Sequence, residues 1–448
     1  MKVALVNPGK KFELGISEPL NLEYIASFLE KNKIEVKIFD ELAGQDVLKG
    51  IKNFNPDFVG ITATTPIAPR AYDIGDFCKE MGIKTIMGGV HPSVLPKEAL
   101  NHSDVVVIGD GEKAMLDIVK GKVKSSIVSA PCIKNLDELP FPARYLVNME
   151  YYLMITGNGF LHHTSINTRT GGIITSRGCP FSCIFCWNSM RKSPFRWQSA
   201  ERVITEIKQL IEEYSIEALF FFDDSLFAVR PRLHKICRLM KKERIKITWG
   251  CNSRVDQIDL KSLRLAYAAG CREISFGFES GSQKILNVLN KKTTVEQNKR
   301  AINLCKKVGI MVDGSFMIGN PTETVEDIRL TQKFITENEI DFAGICMTTP
   351  FPGSRLWEWC KEKNLIPKNI DWSKFDVTEP STPILANTEM SREKIEKLFF
   401  ETDKLVSGMK KRIRISWIIK ETLKNPKRTI SMIKRSKSPL KYLLRLGV

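Results

Sequence analysis

The chain has 448 residues and a formal net charge of +17, with 43% hydrophobic and 27% charged residues. At about 150 residues per domain, this length predicts two or three domains. The ordinary globular composition excludes a wholly disordered chain, a collagen-like repeat and a small disulfide-stapled scaffold. The charge excess is typical of proteins that bind nucleic acid, an anionic membrane or acidic substrates.

Residues 1–128 alternate short β-rich runs with helical patterns, which predicts a doubly wound, Rossmann-like parallel sheet in the α/β class. The expected strands cover residues 3–7, 35–39, 58–62, 84–87 and 105–108. The expected helices cover residues 20–31, 43–54, 68–81 and 113–120. Such a sheet binds its ligands beyond the carboxyl ends of its strands, where this sequence has polar and glycine-rich stretches.

Residues 129–170 are expected to link two domains, because Pro140 and Pro142 exclude a helix interior there. A second series follows, with strands expected at residues 172–176, 218–223, 246–250, 273–278, 312–318 and 343–348. Its helices are expected at residues 200–214, 230–243, 260–269, 294–308 and 324–338. These units predict a partial (β/α)6 barrel over residues 171–370, with its chemistry at the carboxyl ends of the strands. Residues 371–403 form an accessory segment that ends in a helix, and residues 404–448 form a basic helical tail.

The apolar run after Met1 is too short for a signal peptide, and no stretch approaches the roughly 20 apolar residues of a membrane span, so we expect a cytoplasmic protein. In that compartment eleven cysteines indicate thiol or metal chemistry rather than a disulfide framework. Eight of them are expected to be small buried core residues. They are Cys78, Cys132, Cys237, Cys251, Cys271, Cys305, Cys346 and Cys360.

The other three cysteines, Cys179, Cys183 and Cys186, stand at CxxxCxxC spacing in a loop that follows an expected strand. Thiolates clustered so tightly in a cytoplasmic chain usually bind metal. A closed zinc site needs four ligands, and the sequence has no nearby fourth Cys or His. A four-iron cluster held by three thiolates would instead leave one iron open to a small chelator.

This triplet, with Phe185 before its last cysteine, resembles that of the radical S-adenosylmethionine (SAM) enzymes. The stretches FDDSLF (222–227), FGFESGS (276–282), GSFMIGNP (314–321) and PFPGS (350–354) resemble the strand ends of that family's barrel. The resemblance implies that the three cysteines hold a [4Fe-4S] cluster, that SAM chelates its open iron, and that one electron splits SAM to a deoxyadenosyl radical. It also implies SAM contacts at Phe185, Asp223, Gly277, Glu279, Ser280 and Met317. Arg254 is expected either to neutralise the SAM carboxylate or to be an ordinary surface arginine.

The N-terminal strand ends resemble the cobalamin-binding domain that precedes the SAM barrel in one large subgroup, and the likeness spans this whole chain. It implies cobalamin contacts at Thr62, Thr65, Gly88, Gly89, His91, Gly109, Gly111 and Glu112. Many such domains carry a cobalt-ligating His in a DxHxxG motif, but residues 40–44 read DELAG. The resemblance therefore implies cobalamin bound without a His ligand, with the corrin over residues 62–65 and 88–91. His91 itself is open to a ligand role or a structural role, and a domain that no longer binds cobalamin is the alternative.

Most of the charge excess lies in the last 45 residues, since residues 404–448 carry 14 Lys and Arg against the single acid Glu421. Basic residues interleaved with Trp417, Ile and Leu predict an interfacial helix on anionic lipid. A terminal helix packed on the barrel with a solvated basic face is the alternative. Nucleic-acid binding is not expected, because no recognition module accompanies the charge.

Together these patterns predict a cobalamin-dependent radical SAM methyltransferase that acts on an unactivated carbon of a small-molecule or lipid substrate. It would need an external low-potential electron donor, and its tail would bring it to the inner face of the membrane. The alternatives are a radical SAM oxidative cyclase or hydroxylase acting on a lipid or tetrapyrrole, and a membrane-surface binding protein with a structural cluster. Substrate contacts are expected from residues 151–170 and 361–400, and the sequence identifies no catalytic acid or base.

Overall fold

A computed structural model describes residues 1–9, 17–164, 168–190, 193–378, 380 and 382–424, without the side chains of 156–159 and 409–424. The N-terminal part is one sheet flanked by helices. Its strands are β1 (Lys2–Asn7), β2 (Glu35–Asp40), β3 (Phe58–Thr62), β4 (Lys84–Gly88), β5 (Val105–Ile108) and β6 (Ile127–Ser129). Its helices are α1 (Leu20–Lys31), α2 (Val47–Phe54), α3 (Ala68–Glu80), α4 (Val90–Val94), α5 (Pro96–Ala99) and α6 (Gly111–Val119).

This first sheet is parallel throughout and has the order β2-β1-β3-β4-β5-β6. Strand β1 is apolar on both faces, with Val3 and Leu5 in one hydrophobic cluster and Ala4 and Val6 in the other. Burial on both faces is what a parallel sheet covered by two layers of helices requires. The strand order reverses between β1 and β3, which opens a crevice at the carboxyl edge of the sheet.

The second half of the chain builds another sheet, reached through α7 (Met149–Phe160). Its strands and the ribbon beside it are β7 (Thr170–Ile173), β8 (Ser176–Arg177), β9 (Arg196–Trp197), β10 (Ala218–Phe221), β11 (Thr248–Ser253), β12 (Cys271–Glu279), β13 (Met311–Ile318) and β14 (Phe342–Met347). The remaining helices are α8 (Ala200–Tyr214), α9 (Arg230–Lys242), α10 (Leu260–Ala268), α11 (Gln283–Val288), α12 (Val295–Val308), α13 (Val325–Glu337), α14 (Arg355–Glu362) and α15 (Arg392–Lys424).

Six of these strands pair in parallel in the order β7-β10-β11-β12-β13-β14, and β8 and β9 form a separate antiparallel ribbon. Strands β7 and β14 are the edges of this sheet in the described part of the chain, so the architecture is the expected open, partial barrel. Helices α12 and α13 begin where capping boxes form, at Thr294 with Gln297 and at Thr324 with Asp327. Each box satisfies two backbone N–H groups that the first turn leaves free.

The expected strands and helices are present, with differences at their ends. The helix expected from residue 43 begins at Val47, because Asp46 caps it by accepting from the Lys49 backbone N–H. The strand expected at 172–176 divides into β7 and β8. Strands β6 and β9 and helices α4, α5, α7, α11 and α14 were not expected, and α15 continues beyond residue 403 to Lys424.

Two further expectations concern membrane-spanning helices and the burial of eight cysteines in the core. Within the described ranges, none of the helices combines the length and apolarity that a bilayer crossing requires. All eleven cysteines are free thiols, and six of the eight expected in the core are buried. Cys132 and Cys346 are only partly buried, which corrects that expectation for these two residues. The basic tail beyond Lys424 lies outside the described residues.

Candidate active site

The three clustered cysteines lie in the loop that follows the β7 and β8 strand ends. Gly178 opens this loop at φ +84°, a left-handed conformation that suits glycine, with the Pro194 carbonyl only 3.0 Å from where a Cβ would stand. Cys183 is buried, and Cys179 and Cys186 are partly buried. Burial raises the pKa of Cys179, and it raises that of Cys186 to about 11. A metal ion would reverse this effect, because a coordinating thiol loses its proton.

Arg254, just beyond β11, is packed against the cysteine loop and is not a surface arginine. Its side chain is 7% exposed, and its guanidinium lies 3.7 Å from the centre of the Phe181 ring. Nη1 lies 3.7 Å from Cys183 Sγ, and Nη2 donates to the Lys291 carbonyl at 2.6 Å. An ion pair with Asp256 at 3.0 Å fixes the other side of the group. The site therefore has a fixed positive charge beside one of its thiols.

Glu279 ends β12 in an unusual backbone conformation. Its φ is +63°, and the pairing between β12 and β13 shifts register between Gly277 and Glu279. A non-glycine residue at positive φ is strained, and such strain persists where the surroundings hold it. Here Lys291 holds it, with Nζ 2.7 Å from Glu279 Oε1, and both side chains are 8% exposed.

Gly277 makes room for this ion pair. A Cβ built on Gly277 would lie 2.3 Å from Glu279 Oε1 and 2.9 Å from Lys291 Nζ. The Lys291 ammonium also lies 5.9 Å from the centre of the Phe185 ring, which links the pair to the cysteine loop. The sequence patterns did not identify Lys291 as a site residue. The one signal in the sequence is its position just beyond the short helix that follows β12.

Two of the other SAM contacts expected from the resemblance, Asp223 and Ser280, use their side chains in hydrogen bonds within the protein. Asp223 is 1% exposed, accepts hydrogen bonds from Thr175 and Ser176, and has its pKa raised by burial. Ser280 is buried and shares a 3.0 Å hydrogen bond with Thr331 of α13. Met317 is 9% exposed on β13. Next to Asp223, the exposed Asp224 is the acid whose charge contributes to the raised pKa values of Cys179 and Cys186.

A cavity of about 250 Å³ occupies the crevice at the carboxyl edge of the first sheet. Six of the eight residues expected to bind cobalamin line it: Thr62, Gly88, Gly89, Gly109, Gly111 and Glu112. Gly89 and Gly109 have φ values of +100° and +114°, and a Cβ on either would lie 2.6 Å from a backbone carbonyl. A Cβ on Gly88 would meet nothing closer than 4.0 Å, so the absence of a side chain there leaves the crevice open.

Thr65 and His91, the other two expected contacts, do not line this cavity. His91 is fully buried, with Nδ1 3.3 Å from Thr65 Oγ1 and Nε2 3.4 Å from Glu98 Oε1. The same Glu98 oxygen accepts from the Tyr72 hydroxyl and the Trp372 indole, both at 2.9 Å. His91 thus has a hydrogen-bonding role that joins the first sheet to the segment after α14.

Two arginines from the cysteine-bearing segment contact this cavity or its rim, and sequence reasoning did not include them in the site. Arg177 of β8 lines the cavity and pairs with Glu112 at 2.5 Å. Arg196 of β9 pairs with Asp110, another lining residue, at 2.5 Å. These two ion pairs therefore join the ribbon that follows β7 to the crevice of the first sheet.

Two sequence families match this chain. The family described as Radical SAM superfamily matches residues 173–335, which include the three clustered cysteines, Arg254, Glu279 and Lys291. The family described as B12 binding domain matches residues 14–119, which include the cavity-lining glycines. The first match runs from the end of β7 into α13, and the second covers the elements from α1 to α6.

Relatives resemble this chain along most of its length. An uncharacterized methyltransferase of Pyrococcus horikoshii is 34% identical over 432 residues, covering 89% of this chain and 90% of the relative. The anaerobic magnesium-protoporphyrin IX monomethyl ester cyclase of Rubrivivax gelatinosus is 29% identical, covering 88% of this chain and 75% of the relative. The methyltransferase TsrM of Kitasatospora setae, solved with cobalamin and a [4Fe-4S] cluster bound, matches with a TM-score of 0.66 over 82% of this chain and 79% of its own. At 17% identity, that last likeness establishes a shared fold.

Proposed function

Because this chain belongs to the radical SAM enzymes that carry a B12-binding domain, we propose that it methylates an unactivated carbon using a [4Fe-4S] cluster, SAM and cobalamin. One observation carries the proposal: Arg177, which stands two residues before Cys179, lines the glycine-lined cavity and pairs there with Glu112. The bound cofactors would supply a one-electron reductant, a hydrogen-abstracting radical and a transferable methyl group.

Cys179, Cys183 and Cys186 are the residues that would hold the cluster. Thiolates are the ligands that iron–sulfur clusters require, and three of them leave one iron for SAM. Arg254 would stabilise the added negative charge when the cluster is reduced, because its guanidinium lies 3.7 Å from Cys183 Sγ. The electron itself would come from an external low-potential donor.

The Glu279–Lys291 pair supports a SAM site beside the cluster. SAM carries one carboxylate, one ammonium and ribose hydroxyls, and the pair offers a partner for each of these groups. Lys291 and Arg254 would attract the carboxylate, and Glu279 would accept from the ammonium or from the ribose. Phe185, Asp223, Gly277, Ser280 and Met317 stay predicted contacts.

The glycine-lined crevice fits the nucleotide end of cobalamin. Glycines at 88, 89, 109 and 111 let backbone N–H groups approach a bound phosphate or ribose closely. Arg177 supplies a positive charge at the same cavity. Thr65 and His91 would support this site indirectly, through the contacts that join Thr65 to His91 and His91 to Glu98.

A second candidate function is oxidative cyclisation or hydroxylation on a lipid or tetrapyrrole, which the likeness to the Rubrivivax cyclase favours. Both reactions would begin with removal of hydrogen by the same radical. They differ in the product, because methylation adds one carbon to the substrate at each turnover and cyclisation adds none. Product mass therefore decides between them once a substrate is in hand.

The enzyme proposal is tested by anaerobic reconstitution with iron, sulfide, SAM and a strong reductant. We expect the wild-type protein to release deoxyadenosine, and Cys183→Ala to lower that release at least a hundredfold because the cluster loses a ligand. Cys132→Ala is the matched control, since Cys132 is a partly buried free thiol outside the triplet. Equal release from the Cys183→Ala and wild-type proteins would overturn the proposal and favour a binding protein with a structural cluster.

Cobalamin binding has a separate test. After incubation with hydroxocobalamin and desalting, we expect the wild-type protein to retain the corrin absorbance. Gly88→Leu should lose it, because the added side chain would fill the open part of the crevice. A wild-type protein that retains no corrin would instead indicate a domain that no longer binds cobalamin.

We further propose a cytoplasmic enzyme whose tail, residues 404–448, contacts the inner face of the membrane. The eleven free thiols support a reducing compartment. The tail's 14 basic residues against one acid support attraction to anionic lipid. The proposed boundaries are residues 1–128 for the cobalamin domain, 129–170 for the linker, 171–370 for the barrel and 371–403 for the accessory segment.

A further inference from the structure

We propose that His162, Glu273 and Asp313 bind a divalent transition-metal ion at the floor of the barrel, the end away from the cysteine loop. Each residue offers one ligand atom, and these atoms all lie within 4.8 Å of one another. Imidazole and carboxylate together suit zinc, manganese or ferrous iron. Ligand atoms on one such ion lie about 3–4 Å apart. The three ligand atoms would therefore move closer together when the ion binds, and the partly buried side chains of His162 and Asp313 can make this movement.

Glu273 has a buried carboxyl group, and the described residues satisfy only one of its two oxygens. Its side chain is 1% exposed. Oε2 accepts from the His162 and His163 backbone N–H groups at 2.8 and 3.1 Å, and lies 3.0 Å from His163 Nδ1. Oε1 is buried and has no hydrogen-bond partner among the described residues. Burying a carboxylate oxygen without a partner is costly, and a bound cation would remove that cost.

The neighbouring contacts resemble the outer shell of a metal site. Ligating carboxylates are normally held by hydrogen bonds from a second layer of residues. His163 and two backbone N–H groups orient Glu273, and the Ser275 hydroxyl donates to Asp313 Oδ2 at 3.0 Å. The His162 ring stacks on Phe342 with 4.1 Å between ring centres. That contact uses the face of the ring, so it fixes the imidazole without using its nitrogen lone pairs.

This group is separate from the cysteine site. Glu273 is the third residue of β12 and Glu279 is the last, so the strand spacing puts about 20 Å between them. His162 follows α7 and precedes β7, whereas the two carboxylates belong to β12 and β13. A shared ion would tie the segment that enters β7 to the centre of the sheet. Its role would be to close the floor of the barrel, apart from the radical chemistry.

Manganese is the probe of choice, because Mn²⁺ prefers oxygen and nitrogen ligands and competes poorly for the cysteine thiolates. The cluster-loaded, full-length protein is titrated with Mn²⁺, and free Mn²⁺ is measured from its six-line EPR signal. We expect one tight site in the wild-type protein. Glu273→Gln and His162→Ala should each weaken that site at least tenfold. Mn²⁺ should also raise the melting temperature of the wild-type protein but not of these variants.

Asp341→Asn is the matched control, since this acid lies at the same end of the barrel and accepts from the Val312 N–H at 2.8 Å. It should bind Mn²⁺ as the wild-type protein does. Wild-type binding no tighter than that of Glu273→Gln would overturn the proposal, as would equal weakening by Asp341→Asn. If Glu273→Gln fails to fold, Mn²⁺ binding by the wild type is compared with that of the loop variant His162→Ala. Wild-type binding no tighter than that of His162→Ala would then overturn the proposal.

Discussion

At the scale of single residues, two glycines in the FGFESGS stretch exclude side chains for different reasons. Gly277 faces the far ends of two flexible side chains, since its Cβ would meet Glu279 Oε1 and Lys291 Nζ. Gly281 faces backbone, because its Cβ would lie 2.5 Å from the Leu330 carbonyl oxygen and 2.8 Å from Thr331 Cα. One position therefore protects an ion pair beside the proposed SAM site, and the other protects the packing of α13.

The same substitution at these two glycines should give opposite results. Gly277→Ala should keep the free energy of unfolding within about 1 kcal/mol of wild type, because flexible side chains can move, and should reduce deoxyadenosine release at least tenfold. Gly281→Ala should cost roughly 1–3 kcal/mol of stability, because backbone cannot move as easily. Chemical denaturation and single-turnover assays measure the two effects. A Gly277→Ala protein with full activity would contradict the role given to the Glu279–Lys291 pair.

At the scale of elements, the linker is a structural part of the molecule rather than a flexible connection. Its Arg144 is 5% exposed and donates to Glu206 of α8 at 2.8 Å and to the Gly172 carbonyl of β7 at 3.0 Å. Its Nε lies 3.6 Å from Glu18, which precedes α1. Farther along, the Tyr152 hydroxyl of α7 donates to Asp40 at the end of β2. The linker thereby joins both sheets.

Removing the Arg144 charge should destabilise the protein strongly. Arg144→Met would leave the buried carboxylates of Glu206 and Glu18 without their cation, which costs about 3–5 kcal/mol. The double variant Arg144→Met with Glu206→Met should recover a clear part of that loss, because it also removes one stranded charge. Denaturant unfolding of the two variants and wild type measures this. A double variant less stable than Arg144→Met would contradict the account.

The elements show what could be predicted from this sequence. Strand and helix positions were predicted well, because hydrophobic period and capping residues act over a few neighbouring positions. Helix α7 was missed, since its sequence MEYYLMITGNGF contains two glycines and lacks an amphipathic pattern. Lys291 and Arg177 were missed because their partners are set by the fold: Arg177 pairs with Glu112, 65 positions away. Local patterns carry no information about such contacts.

At the scale of the whole molecule, the net charge separates into a nearly balanced body and a basic end. Helix α15 packs on the second sheet through Phe399 and Val406, and Gln332 of α13 donates to Thr402 at 2.7 Å. Residues 409–448 follow this packed part and contain 13 Lys and Arg against Glu421. The charge excess therefore belongs to a segment that comes after the proposed catalytic parts of the chain.

Truncation after Gly408 tests whether this segment binds membrane. It keeps those residues of α15 that are buried among the described side chains, such as Phe399 and Val406, and removes 13 basic residues, each worth about 1 kcal/mol of attraction near an anionic surface. We expect co-sedimentation with phosphatidylserine vesicles to fall at least tenfold, while deoxyadenosine release in the absence of vesicles stays at the wild-type level. Binding of the full chain should weaken with added salt and should be absent on phosphatidylcholine vesicles, because the attraction is electrostatic. Vesicle binding that survives the truncation would show that another surface contacts the lipid, and it would overturn the membrane role given to the tail.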